Sequence, residues 1–326
     1  MTSTAWHSAN SLDRPSIALV RSPPNPPQLE DMLAAQFNLY FLPHVENLAA
    51  QVENGARMAQ ALITGTLVGA DKQLMDAMPQ LKLIACIGGH VDHIDLDAAR
   101  TRGIAICNTP NASAPDVADM TIGLMLAVSR GLCEGDRFVR AGRWIREANP
   151  FTRRVNGKRL GIVGLGGIGS IVARRAEGFD MEVSYHGRAP KADVPYRFFG
   201  NLLEMAYHVD FLSLHCKAIP ETLHLVNADI LQALGPKGFL INAARGMVVD
   251  EAAMIRALQN GTIAGAGLDV FETEPHVPAE LVAMDNVVLQ AHHAAYTYET
   301  KKIMADVILA NLRAHFAGEP LVTPVI

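Results

Sequence analysis

The sequence predicts an α/β protein built from two doubly wound domains, each a mostly parallel sheet with helices on both faces. Three observations carry this. Short β-rich runs alternate with longer helical stretches along most of the chain. The runs are apolar almost throughout, as strands covered on both faces must be. They also fall into two series, and the second opens on a glycine-rich turn.

The first series is SIALV (16–20), FNLYFL (37–42), QALITG (60–65), LKLIACIG (81–88) and IAICN (104–108). The second is RLGIVG (159–164), MEVSYH (181–186), VDFLSLHC (209–216), GFLINAA (238–244), AGAGLDV (264–270) and VVLQAH (287–292). Between them, residues 116–142 carry Val117, Met120, Leu124, Ala127 and Val128 at helical spacing, which predicts one long connecting helix. A last helix is expected from Thr297 as N-cap to Ala317, stopped by Gly318. Its apolar face should hold Ile303, Val307, Ala310, Ile308 and Leu312. SPPNPPQ reads as a turn and MTSTAWHSANSLDRP as a loose tail.

At 326 residues the chain is long enough for two domains with large cores. Hydrophobic residues at 49% and charged residues at 19% mark a compact chain, not a disordered one. A net charge of -5 and no Lys/Arg run argue against nucleic acid or an anionic membrane as partner. The tail lacks the basic start and apolar stretch of a signal peptide, and no apolar run approaches the ~18 residues of a membrane span. Cys86, Cys107, Cys133 and Cys216 lie far apart without zinc-type spacing. A cytoplasmic, reducing location is the expectation.

IVGLGGIGS places Gly164-x-Gly166-x-x-Gly169 between an apolar strand and a helix with Ile168, Ile171, Val172 and Ala176 inside. Such glycines, with Gly167 and Ile168 in the same loop, let backbone amides at a helix N-terminus approach a pyrophosphate. A tight turn with no ligand is the plainer alternative, and the strand–loop–helix setting disfavours it. The next strand ends in SYHGRAPK, where NAD binders usually carry Asp or Glu for the ribose 2′-OH. Here His186, Arg188 and Lys191 stand instead. Arg188 can grip a 2′-phosphate with parallel hydrogen bonds, unless it is an ordinary loop cation. The cluster favours NADP, with NAD as the weaker alternative.

Ligands of open α/β sheets sit at the carboxyl ends of the strands. Those ends carry His215, Arg245-Gly246, Asp269 and His292. With these residues the chain resembles the D-isomer-specific 2-hydroxyacid dehydrogenase family from about residue 50 onward. GIAICNTPNASAPDVAD, GIVGLGGIGS, INAARGMVVDE, AGLDVFETEP and AHHAAYT match its motifs in order. The NADPH-using glyoxylate/hydroxypyruvate reductase branch is the most similar in character.

The resemblance implies a discontinuous substrate domain, 1–107 with 297–326, around a dinucleotide domain of 108–296, with a cleft between. It makes Arg245, Glu274 and His292 the catalytic trio, and gives Asp269 the nicotinamide amide. His215 and Ala243 join the cofactor contacts. The implied chemistry is hydride addition to C2 of a small 2-keto acid, with a proton from His292. Glu274 would favour the imidazolium, and Arg245 would hold the carboxylate and carbonyl. QAH replaces the family's Thr-Pro-His, yet Ala294, Ala295 and Thr297 follow at the expected offsets and favour His292 over His293.

In IGGHVDHID (87–95), Gly88 and Asp92 match the family's substrate loop, with His90 in place of its second glycine. Gly88, Gly89 and His90 are therefore expected at the substrate carboxylate, with His93 in a structural turn. Nothing in the resemblance calls for a metal. A homodimer is implied, formed through the connecting helix and the arm RAGRWIREANPF (140–151). Trp144 there either reaches the partner subunit or anchors local packing. Two competing functions remain: a dinucleotide-sensing corepressor, for which docking grooves and tails are not evident, and a dehydrogenase of another 2-hydroxy acid.

Overall fold

Alternate residues of β1 (Ser16–Arg21) enter two different cores. Ile17 and Leu19 pack with Leu29, Leu33, Ile308 and Leu312, whereas Ala18 and Val20 pack with Leu42, Leu62, Leu74 and Ile84. A period of two with both faces apolar is what a sheet covered on both sides requires. β2 (Asn38–Pro43), β3 (Ala61–Gly65), β4 (Leu83–Ile87) and β5 (Ala105–Asn108) complete a parallel sheet of order β2-β1-β3-β4-β5. The computed structural model describes residues 14–21, 25–26, 28–43 and 47–326. The expected N-terminal tail and most of the proline-rich turn lie outside the described residues.

The second sheet comprises β6 (Arg159–Val163), β7 (Glu182–His186), β8 (Arg197–Phe199), β9 (Phe211–Leu214), β10 (Phe239–Asn242), β11 (Gly265–Leu268) and β12 (Val287–Leu289). Its order is β12-β11-β10-β9-β6-β7-β8, all parallel. The direction of winding reverses between β6 and β9, the switch point where such sheets bind ligands. β8 is a strand that the sequence reading missed, since RFF is too short to show a pattern. The other strands fall where the apolar runs placed them; most are trimmed at one or both ends, whereas β1 runs one residue further, to Arg21, and β2 is shifted one residue on, to Asn38–Pro43.

Two compact units result: Met1–Ser113 with Tyr296–Ile326, and Ala114–Ala295. Residues just after β5 stay with the first sheet because Thr109 exchanges hydrogen bonds with Gly88. Its N–H donates to Gly88 O at 2.9 Å, and its Oγ1 accepts the Gly88 N–H at 2.9 Å.

Two helical expectations need correction. Residues 116–142 are not one helix but two, Ala114–Arg130 and Leu132–Arg140, broken where Gly131 turns left-handed at φ 58. The helix Tyr298–Ala317 has Thr297 as its N-cap, the Thr297 side chain accepting from Thr300 N–H, and Gly318 at φ 71 as its stop. Its buried face runs through Met304, Ala305, Ile308, Leu309 and Leu312, leaving Ile303 47% exposed. Asn311 is buried as well, its Nδ2 donating to Thr323 Oγ1 and its Oδ1 accepting the Thr323 N–H. No helix among the described residues is long and apolar enough to cross a membrane.

Candidate active site

The glycine turn sits at the switch point of the second sheet. Gly164 follows β6 at φ 94, its N–H donating to His186 O at 2.9 Å. A Cβ there would lie 2.8 Å from Cys216 N and 2.9 Å from His215 O, so the turn and the end of β9 admit no side chain between them. A Cβ on Gly169 would collide with the Gly164 carbonyl, which binds the helix Gly167–Glu177 tightly to the strand. Gly166 is the N-cap and offers no side chain to the first-turn amides of Gly167, Ile168 and Gly169. Those amides have no partner within the helix, and no acid stands in that turn. The cradle fits a pyrophosphate.

His215 continues β9, with its N–H on Val163 O at 2.8 Å and its Nε2 2.8 Å from Ser213 Oγ. Its Nδ1 is fully covered yet has no hydrogen-bond partner among the described residues, and burial pushes the imidazole down to about 4. It is therefore neutral, with a polar atom left over for a ligand group. Ala243 packs with Val117 and Ala294 against Ile168, which brings two of the expected cofactor contacts together.

At the end of β7, His186 Nδ1 donates to Phe199 O at 2.9 Å, fixing its ring. Arg188 is exposed and makes no hydrogen bond or ion pair among the described residues. Lys191 was noted in the sequence only as part of a basic cluster. Its Nζ donates to Leu165 O at 2.5 Å and its N–H to Tyr185 Oη at 2.7 Å, strapping the basic turn to the glycine loop.

Three strand ends on the other side of the switch point carry Arg245, Asp269 and His292. His292 Nδ1 lies 2.7 Å from Glu274 Oε2, and Glu274 Oε1 accepts the Phe271 N–H at 3.1 Å. Burial raises the Glu274 carboxyl. The His292 hydrogen bond and charge, the Phe271 amide and the Arg245 guanidinium outweigh it and hold the group below its ordinary range. His292 stands at φ 52, a left-handed conformation uncommon for a residue with a Cβ. Such a pair can keep one imidazole tautomer and support a proton on the ring.

Asp269 is 1% exposed. Its carboxylate oxygens accept His293 N–H at 2.7 Å and Ala294 N–H at 3.1 Å, so it braces the turn that carries His292. Burial raises its pKa against those two bonds. Asn242, which the sequence reading passed over, closes the Arg245 turn. Its Oδ1 accepts Ala244 N–H at 3.0 Å and its Nδ2 donates to Arg245 O at 3.0 Å. A polar residue ending the buried strand FLIN was the available signal.

In the first unit, Gly88 stands at φ 133 with its amide taken by Thr109. Gly89 O accepts from Asn108 Nδ2 at 3.0 Å, and His90 O lies 3.3 Å from Cys86 Sγ. His93 Nδ1 meets Thr66 O at 2.7 Å, in the turn. No group of three or more His, Cys, Asp or Glu side chains suited to a metal occurs among the described residues.

A glycine turn at the switch point of a seven-stranded sheet, with a histidine–carboxylate pair and an arginine at neighbouring strand ends, defines a Rossmann-type dinucleotide-dependent dehydrogenase. Residues 122–294 match the family model described as "D-isomer specific 2-hydroxyacid dehydrogenase, NAD binding domain". Hydroxyphenylpyruvate reductase of Plectranthus scutellarioides is 45% identical over 279 residues, 86% of this chain and 88% of that protein. A glyoxylate/hydroxypyruvate reductase of Arabidopsis thaliana is 40% identical over 95% of this chain and 99% of its own length. The NADPH-dependent glyoxylate/hydroxypyruvate reductase of Sinorhizobium meliloti, solved with NADP and malonate, superposes with a TM-score of 0.87 at 40% identity, covering 96% of this chain and 97% of that one. This chain belongs to the D-isomer specific 2-hydroxyacid dehydrogenase family. It is an oxidoreductase with a nicotinamide-dinucleotide domain.

Proposed function

We propose that the protein reduces small 2-keto acids to D-2-hydroxy acids, prefers NADPH to NADH, and takes glyoxylate and hydroxypyruvate as substrates. The observation that carries this is the 2.7 Å contact of His292 Nδ1 with Glu274 Oε2 in the same unit as the glycine cradle. When bound, the dinucleotide supplies hydride to C2 of the keto acid. His292 gives the proton that the carbonyl oxygen needs, and Glu274 stabilises the imidazolium beforehand. Arg245 binds the carboxylate and polarises the carbonyl through its planar fork. After transfer the imidazole is neutral and takes its next proton from solvent.

Cofactor recognition is assigned to Gly164, Gly166, Gly167, Ile168, Gly169, His215 and Ala243, with His186 and Arg188 at the 2′-phosphate. Gly88, Gly89 and His90 are assigned to substrate binding, with Gly89 and His90 offering the donors. Homodimer formation is proposed through the 140–151 arm, where Trp144 is 69% and Ile145 87% exposed. We place the enzyme in the cytoplasm.

Initial rates on glyoxylate, hydroxypyruvate, pyruvate, phenylpyruvate and hydroxyphenylpyruvate with each cofactor test the assignment. Dissociation constants for NADPH and NADH are measured alongside, in wild type and in Arg188→Ala. NADPH should bind more tightly, and Arg188→Ala should weaken NADPH far more than NADH. Equal losses for the two cofactors would overturn the NADPH reading. Faster turnover of hydroxyphenylpyruvate than of glyoxylate would reassign the substrate.

A further inference from the structure

We propose that His224 is a positioning residue: through Glu272 it latches the segment carrying Glu274 to the turn carrying Arg245. The inference rests on the catalytic roles proposed above for Glu274 and Arg245. His224 lies between β9 and the helix Ala228–Leu234, at a left-handed φ of 50. Its N–H donates to Met247 O at 2.9 Å, inside the turn Gly246–Val248 that follows Arg245. Its Nε2 meets Glu272 Oε1 at 2.8 Å. One residue thus touches both segments.

Glu272 is held from a second side. Its N–H donates to Glu251 Oε2 at 3.2 Å, and Glu251 opens the helix Glu251–Gln259 just beyond the Arg245 turn. Steric contact limits approach from the inside: a Cβ on Gly246 would collide with the Phe271 carbonyl and the Glu272 amide. Packing therefore sets the closest distance between the two segments, and the His224–Glu272 pair prevents them from parting. Phe271 and Glu274, joined by a hydrogen bond, share that segment. A hydrogen bond exposed to this degree contributes little to global stability, and neither partner lies in the glycine cradle. What the pair can do is hold Arg245 and Glu274 in register, where a shift of about 1 Å can cost on the order of 100-fold in rate.

The test compares wild type, His224→Ala, His224→Gln, Glu272→Ala and the double variant His224→Ala/Glu272→Ala. Ala keeps a Cβ at the same left-handed φ, so only the side-chain contact is lost. Keto-acid kcat and KM, NADPH dissociation constants and Tm are measured for each. We expect kcat to fall about tenfold in His224→Ala and Glu272→Ala, with NADPH affinity and Tm unchanged. Gln, whose amide reaches as far as Nε2, should restore most of the rate. The double variant should be no worse than either single one, as for two halves of one contact. Wild-type kcat in His224→Ala would overturn the latch, as would a loss that tracks a lowered Tm and is not restored by Gln. Should His224→Ala fail to fold, Glu272→Ala alone decides, because it leaves the His224 backbone bond in place. A wild type that depends on His292 but not on His224 sinks the latch alone; one with no keto-acid turnover sinks the proposed function as well.

Discussion

Asp269 holds the backbone of His292: its carbonyl accepts the His292 N–H at 2.7 Å, and its carboxylate takes the next two amides in turn. Three successive N–H groups therefore end on one residue. A left-handed conformation costs a residue with a Cβ roughly 1–2 kcal/mol, and these bonds offset that cost at φ 52. The imidazole owes its place above Glu274 to an acid that need not touch the substrate.

Asp269→Asn separates that bracing from the nicotinamide contact that family resemblance assigns to Asp269. Asparagine offers one acceptor oxygen and sets an NH2 against a backbone donor, so the turn loosens. Reduction should slow by about 100-fold while the NADPH dissociation constant stays near that of wild type. Weakened NADPH binding with little change in kcat would return Asp269 to the nicotinamide.

His292→Ala should cost ~10²–10⁴-fold in kcat, the usual contribution of a positioned general acid. His293→Ala is the companion variant, because the altered QAHH segment puts two histidines side by side. The 2.7 Å contact with Glu274 belongs to His292, whereas His293 meets Asp269 through its backbone N–H. A His293 variant that loses turnover while the His292 variant keeps it would reverse the assignment.

Much of this architecture is legible in the sequence. Strands buried on both faces betray themselves as unbroken apolar runs, and the run before Gly164 gave the glycine turn its meaning. The strand-end residues Arg245, Asp269 and His292 stood out because each follows such a run. Harder to read was anything set by one backbone angle or one long-range hydrogen bond. The break at Gly131 looks in sequence like any helical glycine, and β8 is too short to show a period. The two hydrogen bonds that the Asp269 carboxylate accepts from the His292 turn join positions 24 and 25 residues apart. The His224–Glu272 contact spans 48 residues, and no local pattern announces it.

Glu274 supplies a pH prediction whose sign follows from its environment. Burial works to raise the carboxyl, but His292, Phe271 N–H and Arg245 together hold it below its ordinary 4.5. A depressed carboxyl stabilises the fold above its unfolded value, and that contribution is lost as pH falls through the lower folded value. The carboxylate should therefore persist through the neutral and mildly acidic range. Any acid-side decline in kcat due to Glu274 should lie below pH 4.5. Glu274→Gln should be slower throughout and lack that limb, compared only where circular dichroism shows both proteins folded. A Gln variant with the wild-type profile would remove Glu274 from the mechanism.

His215 gives the opposite kind of pH test, one of stability rather than rate. Burial pushes its imidazole from an ordinary 6.5 down to about 4, so the folded protein keeps it neutral where the unfolded chain would protonate it. Below pH 6.5 the unfolded state binds the extra proton, and stability declines progressively as pH approaches 4. The full loss across that window is on the order of 3 kcal/mol. Urea unfolding at several pH values between 7.5 and 4.5 should show this slope, and His215→Gln should flatten it because glutamine does not titrate. Carboxylates such as Glu274, protonating below 4.5, act on the acid side of the same window and are common to both proteins. The difference between the two slopes therefore isolates the histidine. Equal slopes would mean that His215 is hydrated in solution, and its covered Nδ1 would then lose its place among the proposed cofactor contacts.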